Sequence, residues 1–322
     1  MSGPRVLVTG ATGFVGEAVV FRLLLDKKFT PVAAVRASTR LSGLCRVVPF
    51  DLDLDLPTAL PVLEGVAVVI HCAARVHVMS ETAVDSLAAF RKANVEGTVR
   101  LARRAAESGV KRFIFISSIK VNGESTGRNM PFKATDLPAP IDPYGVSKHE
   151  AEIALRQISL ETGMEVVVIR PPLVYGPGVK ANFLSMMRWL DRGVPLPLGA
   201  IDNQRSLVAL GNLTDLVVAC IDSPAAAGQV FLVSDGEDLS TTQLLRRMAF
   251  ALGKVARLLP VPVGLLRVVA SMMGKSGVVE RLCGSLQVDI RHTREVLGWH
   301  PPVSAERALR QAADHYRDKQ TR

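Results

Sequence analysis

The chain has 322 residues, of which 48% are hydrophobic, so it can bury one large core or two modest ones and is not expected to be disordered. Its four cysteines form no CxxC pair, which argues against a zinc site or a disulfide framework and predicts a cytoplasmic location. Its formal charge of +9 is spread along the sequence with few aromatic residues, which favours a small anionic ligand over nucleic acid.

Seven short, β-branched runs follow one another along the chain, with helical stretches between them. Most runs are apolar throughout, as expected for parallel strands covered on both faces. Repeated βα units predict an α/β fold with a Rossmann-like, doubly wound parallel sheet. The predicted strands are RVLVT (5–9), PVAAV (31–35), CRVVPF (45–50), VAVVIH (66–71), RFIFIS (112–117), EVVVIR (165–170) and QVFLVS (229–234), and the predicted helices are 13–28, 86–109 and 143–163.

Three glycines, Gly10, Gly13 and Gly16, lie between the first strand and the first helix in the spacing GxxGxxG. Glycines here allow a tight turn, a close approach of the backbone to a pyrophosphate and packing of the helix on the sheet. Glycines also serve ordinary turns, but their place between a strand and an amphipathic helix predicts a nucleotide site.

The second strand is followed by arginine rather than by an acid. An NAD site usually has a carboxylate here for the adenosine ribose, whereas this chain has Arg36 and Arg40 and no Asp or Glu between Lys27 and Phe50. A guanidinium suits a 2′-phosphate. NADP(H) is therefore favoured and NAD(H) stays open, as does the alternative that both arginines are solvated loop charges.

Tyr144 and Lys148 in YGVSK are four residues apart and so share one helix face. Tyrosine is a poor base at neutral pH, but a nearby ammonium favours the phenolate and is predicted to lower its pKa. A surface tyrosine beside a solvated lysine is the plain alternative. The order of the glycine loop, Asn94, Ser118 and then YxxxK makes a chance match improbable.

With these motifs the sequence resembles an extended short-chain dehydrogenase/reductase of the nucleotide-sugar epimerase and reductase branch. The likeness covers nearly the whole chain, through TGATGFVG, FDLD (50–53), HCAA (71–74), KANVEGT, FISSIKVNG, YGVSK, RPPLVYGPG, NQRSLVALGNLTDL and LGWHPPVS. It implies that Tyr144 acts as acid or base, that Lys148 binds the nicotinamide ribose and that Ser118 polarises the reacting oxygen. The cofactor-binding residues that it implies are Gly10, Thr12, Gly13, Phe14, Val15, Gly16, Arg36, Asp51, Leu52, Ala73, Ala74, Asn94, Ser117, Lys148 and Pro171.

The stretch SSIKVNG narrows the reaction. Nucleotide-sugar 4,6-dehydratases of this family carry an Asp-Glu pair after the residue matching Ser118, and this chain has Ile119 and Lys120 there. The resemblance therefore implies hydride chemistry at one carbon. Arg36 favours reduction, and the stretches HCAARVHVM and SSIKVNGES resemble bacterial surface-polysaccharide enzymes that reduce UDP-2-acetamido-2,6-dideoxy-hexos-4-ulose at C4. The resemblance thus implies an NADPH-dependent reductase that gives UDP-N-acetyl-quinovosamine or UDP-N-acetyl-fucosamine for O-antigen and other lipopolysaccharide surface chains.

Three alternatives remain open at this point. The nearest is a UDP-N-acetylglucosamine 4-epimerase of the UDP-glucose type, with tightly bound NAD. The second is a reductase of steroid-like or flavonoid-like ketones, and the third is a dinucleotide-sensing protein without catalysis, which would not be expected to keep Tyr144 and Lys148.

Four further residues are predicted to contact the UDP-sugar: Lys120, Asn182, Arg205 and Arg281. Each has an ordinary alternative, namely a solvated lysine, a helix-capping asparagine or surface arginines. Leu173 stands where many relatives have an asparagine that contacts the substrate, so the identity of the sugar stays undetermined. His77 is interpreted as lining the pocket or packed, and the six histidines show no ligand spacing, so no metal is predicted.

From residue 171 the texture changes to Pro- and Gly-rich turns mixed with helical pieces, which predicts a smaller, mostly helical substrate domain. The strand-like start leaves no room for a signal peptide, and no run is apolar enough to span a membrane, although 261–282 is compatible with weak association with a membrane surface. The resemblance implies a homodimer through helices at about 86–108 and 142–162. The predicted NAD(P)-binding domain comprises residues 1–170 and 206–235. The predicted substrate-binding domain comprises residues 171–205 and 236–322.

Overall fold

Seven parallel strands form the central sheet in the order β3-β2-β1-β4-β5-β6-β9. The computed structural model describes residues 3–37, 39–52, 61–76, 86–274 and 276–320. Every predicted strand is confirmed, with ends that differ by no more than two residues. The strands are β1 (Arg5–Thr9), β2 (Thr30–Val35), β3 (Arg46–Pro49), β4 (Val66–His71), β5 (Arg112–Ile116), β6 (Glu165–Arg170) and β9 (Val230–Leu232).

The side chains of these strands alternate between two buried cores. On β1, Val6 and Val8 face one core, which α1 (Phe14–Asp26) and α6 (Leu210–Asp222) cover, whereas Leu7 faces the other. That second core is closed by α3 (Thr98–Glu107) and α4 (Pro143–Thr162). Because both faces are covered, the strands are apolar without alternation, and the predicted Rossmann-like fold is confirmed.

The stretch predicted as one helix over 86–109 divides into α2 (Ser86–Phe90), a π-helical segment (Arg91–Gly97) and α3. The predicted ends of α4 are confirmed. Asp142 caps it by accepting from the backbone amide of Gly145 at 2.7 Å, and Gly163 adopts φ +74° after its last turn.

A smaller sheet has the order β10-β8-β7, in which β10 is antiparallel and the other pair parallel. Its core is separate from the two cores of the large sheet and is built mainly by helices. The elements of this region are β7 (Leu173–Tyr175), α5 (Ala181–Asp191), β8 (Arg205–Ala209), β10 (Asp238–Leu239), α7 (Thr241–Ala251), α8 (Val263–Met272), α9 (Ser276–Cys283) and α11 (Ala305–Gln320). A further helix, α10 (Arg291–Leu297), packs instead against β9 of the large sheet, where Thr293 donates its hydroxyl to the carbonyl of Leu232 at 2.6 Å.

The predicted division into domains stays a prediction, although the pairing of the later elements bears on it. β9 pairs with β6 in the large sheet, and α6 packs against α1. β8, however, pairs with β7 in the small sheet.

An extended segment, 285–289, joins the two parts of the molecule. On one side the amide of Phe132 donates to the carbonyl of Gln287 at 2.9 Å, and on the other the amide of Ser206 donates to the carbonyl of Leu286 at 2.8 Å. These hydrogen bonds belong to two isolated parallel β-bridges, Phe132 with Val288 and Arg205 with Leu286. The segment therefore fixes the loop after β5 against the start of β8.

Candidate active site

The glycine loop lies at the carboxyl edge of the sheet, packed against the end of β4. Gly10 has φ +63°, and a Cβ atom there would come within 2.8 Å of the amide nitrogen of Ala73. A Cβ on Gly16 would lie 2.3 Å from the carbonyl oxygen of Gly10. The amide of Gly13 closes the turn by donating to that same oxygen at 2.8 Å. Only glycine fits positions 10 and 16 without a shift of the backbone.

The start of α1 is open to a ligand. Its N-cap, Gly13, has no side chain to bond the amides of the first turn, and Thr12 and Gly13 are exposed. Phe14 and Val15, also predicted to bind the cofactor, are half-buried in that turn. Free amides at a helix N-terminus beside a glycine cradle fit the pyrophosphate of a dinucleotide.

The two arginines that follow β2 differ in their contacts with the rest of the protein. Arg40 bonds Glu17 at 2.8 Å and lies over the ring of Phe21, whereas Arg36 is exposed and makes no ion pair with another described residue. Arg36 is thus the arginine available to a 2′-phosphate. Beside it in the predicted adenine site, Asp51 is half-buried and Leu52 is buried, with its carbonyl accepting from Arg100 at 3.0 Å.

A buried histidine links the cofactor loops, and sequence reasoning missed this role. Nδ1 of His71 lies 2.7 Å from the hydroxyl of Thr9, and Nε2 lies 3.0 Å from that of Thr98. Thr98 donates its own proton to the carbonyl of Asn94 at 2.7 Å, so Nε2 must donate and Nδ1 must accept. Thr9 in turn accepts from the amide of Ala73 at 3.3 Å.

Burial, and next the nearby Lys148 charge, lower the pKa of His71 to about 3, so it is neutral at any working pH. The signal that could have revealed it is a histidine that ends an otherwise apolar, buried strand. Ala73 and Ala74 follow it half-buried, where they were predicted to line the cofactor.

Asn94 holds the π-helical segment to its neighbours. Its Oδ1 accepts from the amide of Arg75 at 2.8 Å, and its Nδ2 donates to the carbonyl of Arg75 and to Ser147 Oγ, both at 3.0 Å. Ser147 donates to the carbonyl of Tyr144 at 2.8 Å. The amide of Asn94 is therefore fully bonded within the protein, and its structural contribution is to place the helix that carries Tyr144.

Ser118 begins the turn after β5, and Tyr144 and Lys148 lie on α4, which packs against that turn. Lys148 is only 2% exposed, donates from Nζ to the carbonyl of Ile116 at 2.8 Å and lies 4.3 Å from the ring centre of Phe115. Burial lowers the pKa of Lys148 to about 8. Ser118 is half-buried, and its Oγ accepts from the amide of Lys120 at 3.3 Å.

The pKa of Tyr144 departs from the predicted direction. Burial raises it above the ordinary tyrosine value, and the charge of Asp142 adds to this, whereas the sequence predicted a pKa lowered by Lys148. The ring is half-buried, edge-on to Phe90 at 6.0 Å. Helical spacing showed that Tyr144 and Lys148 share a face, but it did not show how much water the packing removes.

A buried ion pair supports the strand ends. Arg170 Nη2 bonds Glu152 at 2.5 Å, and its Nη1 donates to Asn122 Oδ1 at 2.9 Å. Ser117, predicted to bind the cofactor, donates its hydroxyl to Glu152 and its amide to the carbonyl of Ile169 at 2.8 Å. This network ties β5, β6 and α4 together.

Pro171, the last predicted cofactor residue, follows β6 directly. Its carbonyl accepts from the amide of Ile119 at 3.0 Å, which brings it to the turn that begins at Ser118.

Lys120 is engaged by carboxylates. Its ammonium bonds Asp142, the cap of α4, and also Glu124 at 2.9 Å. These partners raise the pKa of Lys120 against the opposing effect of burial, which is the largest single influence. A Cβ on Gly145 would approach the carbonyl of Lys120 to 2.9 Å. Lys120 therefore clamps the turn after Ser118 to the helix of Tyr144, and donation to a sugar would require it to leave this pair.

The remaining predicted substrate residues lie around the small sheet. Arg205 donates to the carbonyls of Arg281 at 2.8 Å and of Gly284 at 3.0 Å, so it caps the end of α9. Arg281 is exposed and donates to the carbonyl of Gly277 at 3.0 Å, and Asn182 is exposed in the first turn of α5. The cap of α5 is Lys180, so Asn182 has no capping role.

His77, which was discussed from the sequence, lies outside the described residues, as does the last residue of the FDLD motif. Within the described part of the chain, no cluster of His, Cys, Asp or Glu has the geometry to hold a metal ion. Across the same residues, no helix combines the length and apolarity needed to cross a bilayer.

Comparison with known proteins adds to this geometry. A model of the NAD dependent epimerase/dehydratase family matches residues 6–234. A UDP-glucose 4-epimerase of Vibrio cholerae is 50% identical over 313 residues, which cover 97% of this chain and 95% of that protein.

Two solved structures share the fold at lower identity. UDP-N-acetylglucosamine 4-epimerase from Bacillus cereus superposes with a TM-score of 0.79 at 21% identity, covering 98% of this chain and 100% of the other. UDP-glucuronic acid 4-epimerase from the same organism, in complex with NAD, superposes with a TM-score of 0.76 at 20% identity, covering 98% of this chain and 99% of the other.

Proposed function

Because the chain belongs to the NAD dependent epimerase/dehydratase family, we propose that it is a UDP-sugar 4-epimerase, which inverts C4 of UDP-glucose or UDP-N-acetylglucosamine with NAD. The observation that carries this proposal is the 50% identity, over nearly the full length, to a protein named UDP-glucose 4-epimerase. The sequence alone favoured a C4 ketoreductase. The comparison supports the epimerase better, and both reactions would use the same predicted catalytic residues.

The protein's own groups would act at the sugar O4. Bound NAD would supply the acceptor, and later the donor, of the C4 hydride. Ser118 would hold O4 by a hydrogen bond while the phenol oxygen of Tyr144 takes or returns its proton. The raised pKa of Tyr144 keeps the phenol protonated, which suits donation to a C4 keto oxygen. Accepting a proton requires the phenolate, which the ammonium of Lys148 would favour.

The cofactor would be held at the glycine loop. The close packing of Gly10 and Gly16 and the uncapped first turn of α1 support a dinucleotide pyrophosphate there. Ile119 and Lys120 supply no carboxylate after Ser118, which supports chemistry at one carbon without dehydration.

A second candidate, C4 reduction of a UDP-4-keto-6-deoxy-N-acetylhexosamine with NADPH, is favoured by one observation. Arg36 is exposed, makes no ion pair with a described residue and follows a strand that lacks the usual acid. Preference for NADP(H) over NAD(H) would support this candidate, because a reductase must exchange its cofactor whereas an epimerase regenerates it.

The decisive experiment offers the protein the substrate and cofactor of each reaction separately. The protein is incubated with UDP-glucose or UDP-N-acetylglucosamine and NAD, without a reductant, and the C4 epimer is followed by NMR; in parallel, the 4-keto sugar is offered with NADPH or NADH. Tyr144→Phe should abolish turnover, whereas Tyr316→Phe, which removes a hydroxyl bonded to Asp191 at 3.3 Å, should not. Reduction of the keto sugar without epimerisation would replace the epimerase by the reductase.

We further propose, as the resemblance implies, a homodimer through α2, α3 and α4, and a cytoplasmic location. Exposed Ile153 and Leu160 on α4 support the dimer, and a measured molecular mass in solution tests it.

A further inference from the structure

Helix α8 presents an apolar face to the outside of the molecule. Its exposed apolar residues follow the spacing i, i+3, i+4 and i+7, with the next residue after the helix continuing the same face, and each is between 47% and 83% exposed. This spacing places them on one side of a helix. We call these residues the α8 stripe: Leu265, Val268, Val269, Met272 and Met273.

The outward direction of the stripe is fixed by the anchoring of the opposite side. Ala270 is buried, and Leu266 packs against the core of the small sheet. The following helix, α9, is held by the carbonyl of Leu282, which accepts from Asn203 Nδ2 at 3.1 Å and from Thr241 Oγ1 at 2.6 Å. The α8–α9 hairpin (263–283) therefore cannot turn the stripe inward without losing these contacts.

The sequence around the stripe is strongly basic. Between residues 254 and 281 the only acid is Glu280, and it lies 3.7 Å from Arg267. Both Arg257 and Arg281 are exposed. The basic residues of this stretch are Lys254, which lies 3.5 Å from Asp191, and Arg257, Arg267, Lys275 and Arg281.

An apolar helix face in a basic segment complements an anionic lipid surface, since the face enters the acyl boundary and the cations meet the headgroups. The alternative occupant, a second copy of this chain, fits less well. A stable interface uses about 20–30 residues on each side, and the stripe has far fewer.

We propose that the α8–α9 hairpin docks the protein on an anionic membrane surface, with α8 parallel to the bilayer and the α8 stripe in contact with the acyl chains. The ten residues of α8 extend over about 15 Å, half of the hydrocarbon thickness, so the helix lies on the bilayer and does not cross it. The α8 stripe can be tested apart from the proposed reaction, because no stripe residue is assigned to the active site and Arg281, a predicted UDP-sugar contact, stays unchanged in the test.

The test is co-sedimentation of the full chain with phosphatidylcholine vesicles that either contain or lack phosphatidylglycerol. Wild type should sediment with the anionic vesicles and much less with the neutral ones. The double variant Val268→Ser/Met272→Ser should bind anionic vesicles at least about tenfold more weakly, because it loses buried apolar surface. The matched control, Leu25→Ser/Leu44→Ser, removes exposed apolar side chains elsewhere and should bind as wild type does.

Each other outcome overturns the proposal. Absence of binding to anionic vesicles does so directly. Equal binding by wild type and the stripe variant would mean that charge alone adsorbs the protein. A lower molecular mass of the stripe variant, with lipid binding unchanged, would assign the stripe to contacts between copies. The urea midpoint of both double variants should match wild type, and their turnover of UDP-sugar in solution should be unchanged, which separates failure of docking from failure of the proposed function.

Discussion

Replacing Lys148 by methionine should stabilise the protein at neutral pH while abolishing turnover. The fall of the Lys148 pKa from 10.5 to about 8 means that the folded state carries a buried charge at a cost of about 3 kcal/mol at pH 7. Methionine removes this cost but leaves the carbonyl of Ile116 without its hydrogen-bond donor, which destabilises the variant by about 1 kcal/mol. A net gain of about 2 kcal/mol in the free energy of unfolding is therefore expected.

The pH dependence isolates the charge from packing. A lysine with a lowered folded-state pKa destabilises the protein below that pKa, and the cost disappears as pH rises from about 8 towards the unfolded value of 10.5. Between about pH 7 and about pH 9.5, wild type should gain about 2 kcal/mol relative to Lys148→Met. The neighbouring groups do not obscure this, because His71 is already neutral and burial holds the pKa of Cys72 at about 12.

Urea denaturation followed by tryptophan fluorescence, at several pH values across this window, measures the difference. Lys111→Met, which removes an exposed lysine, serves as the control and should show no comparable change with pH. A stability difference between wild type and Lys148→Met that is constant with pH would refute the reasoning, since it would show that Lys148 is not held as a costly buried cation.

Three further changes test the scaffold of the site. Glu152→Gln should leave a buried arginine uncompensated and cost about 3–5 kcal/mol in urea denaturation, whereas Glu150→Gln, in an exposed pair, should cost less than about 1 kcal/mol; similar losses would contradict this. Gly16→Ala should cost about 1–3 kcal/mol and weaken dinucleotide binding in a fluorescence titration, because its Cβ has no room, whereas Gly43→Ala meets open space and should bind normally. Asp142→Ala should lower stability by about 1–2 kcal/mol in thermal denaturation through loss of the cap of α4, and Asp142→Asn, which can still cap, should retain most of it; equal losses would assign the effect to the ion pair with Lys120 instead.

The sheet was predictable because each of its strands is a continuous apolar run. VAVVIH and EVVVIR coincide with β4 and β6, since a strand covered on both faces needs no polar residue within it. β7, β8 and β10 were missed. β7 and β10 have three and two residues, which are too few for a pattern, and the five residues of β8, RSLVA, lie in a region that was interpreted as turns and helical pieces. The π-helical segment was also missed, since it depends on contacts made by Asn94 to distant parts of the chain.

The sequence predicted which residues belong to the candidate site, but it did not predict the direction of their pKa shifts. Spacing placed Tyr144 and Lys148 on one face of α4, yet the directions of their pKa shifts follow from burial that only the packed molecule shows. Asp142, one of the two carboxylate partners of Lys120, is 22 residues away, and the threonine bonded to Nδ1 of His71 is 62 residues away. Pairings over such separations leave no local mark in a sequence.

The extended segment 285–289 has a consequence for the order in which the protein is made. The last strand of the large sheet ends at Leu232, so the sheet can be complete while the remaining residues are still being synthesised. The loop at Phe132, however, pairs with a segment more than 150 residues later, and such distant pairings form late in folding. A nascent chain is therefore expected to hold a complete large sheet, one core of which still lacks Leu286, Val288, Ile290 and Trp299, next to an unfinished small sheet. Pauses in translation or C-terminal truncation would expose this species to chaperones and proteases.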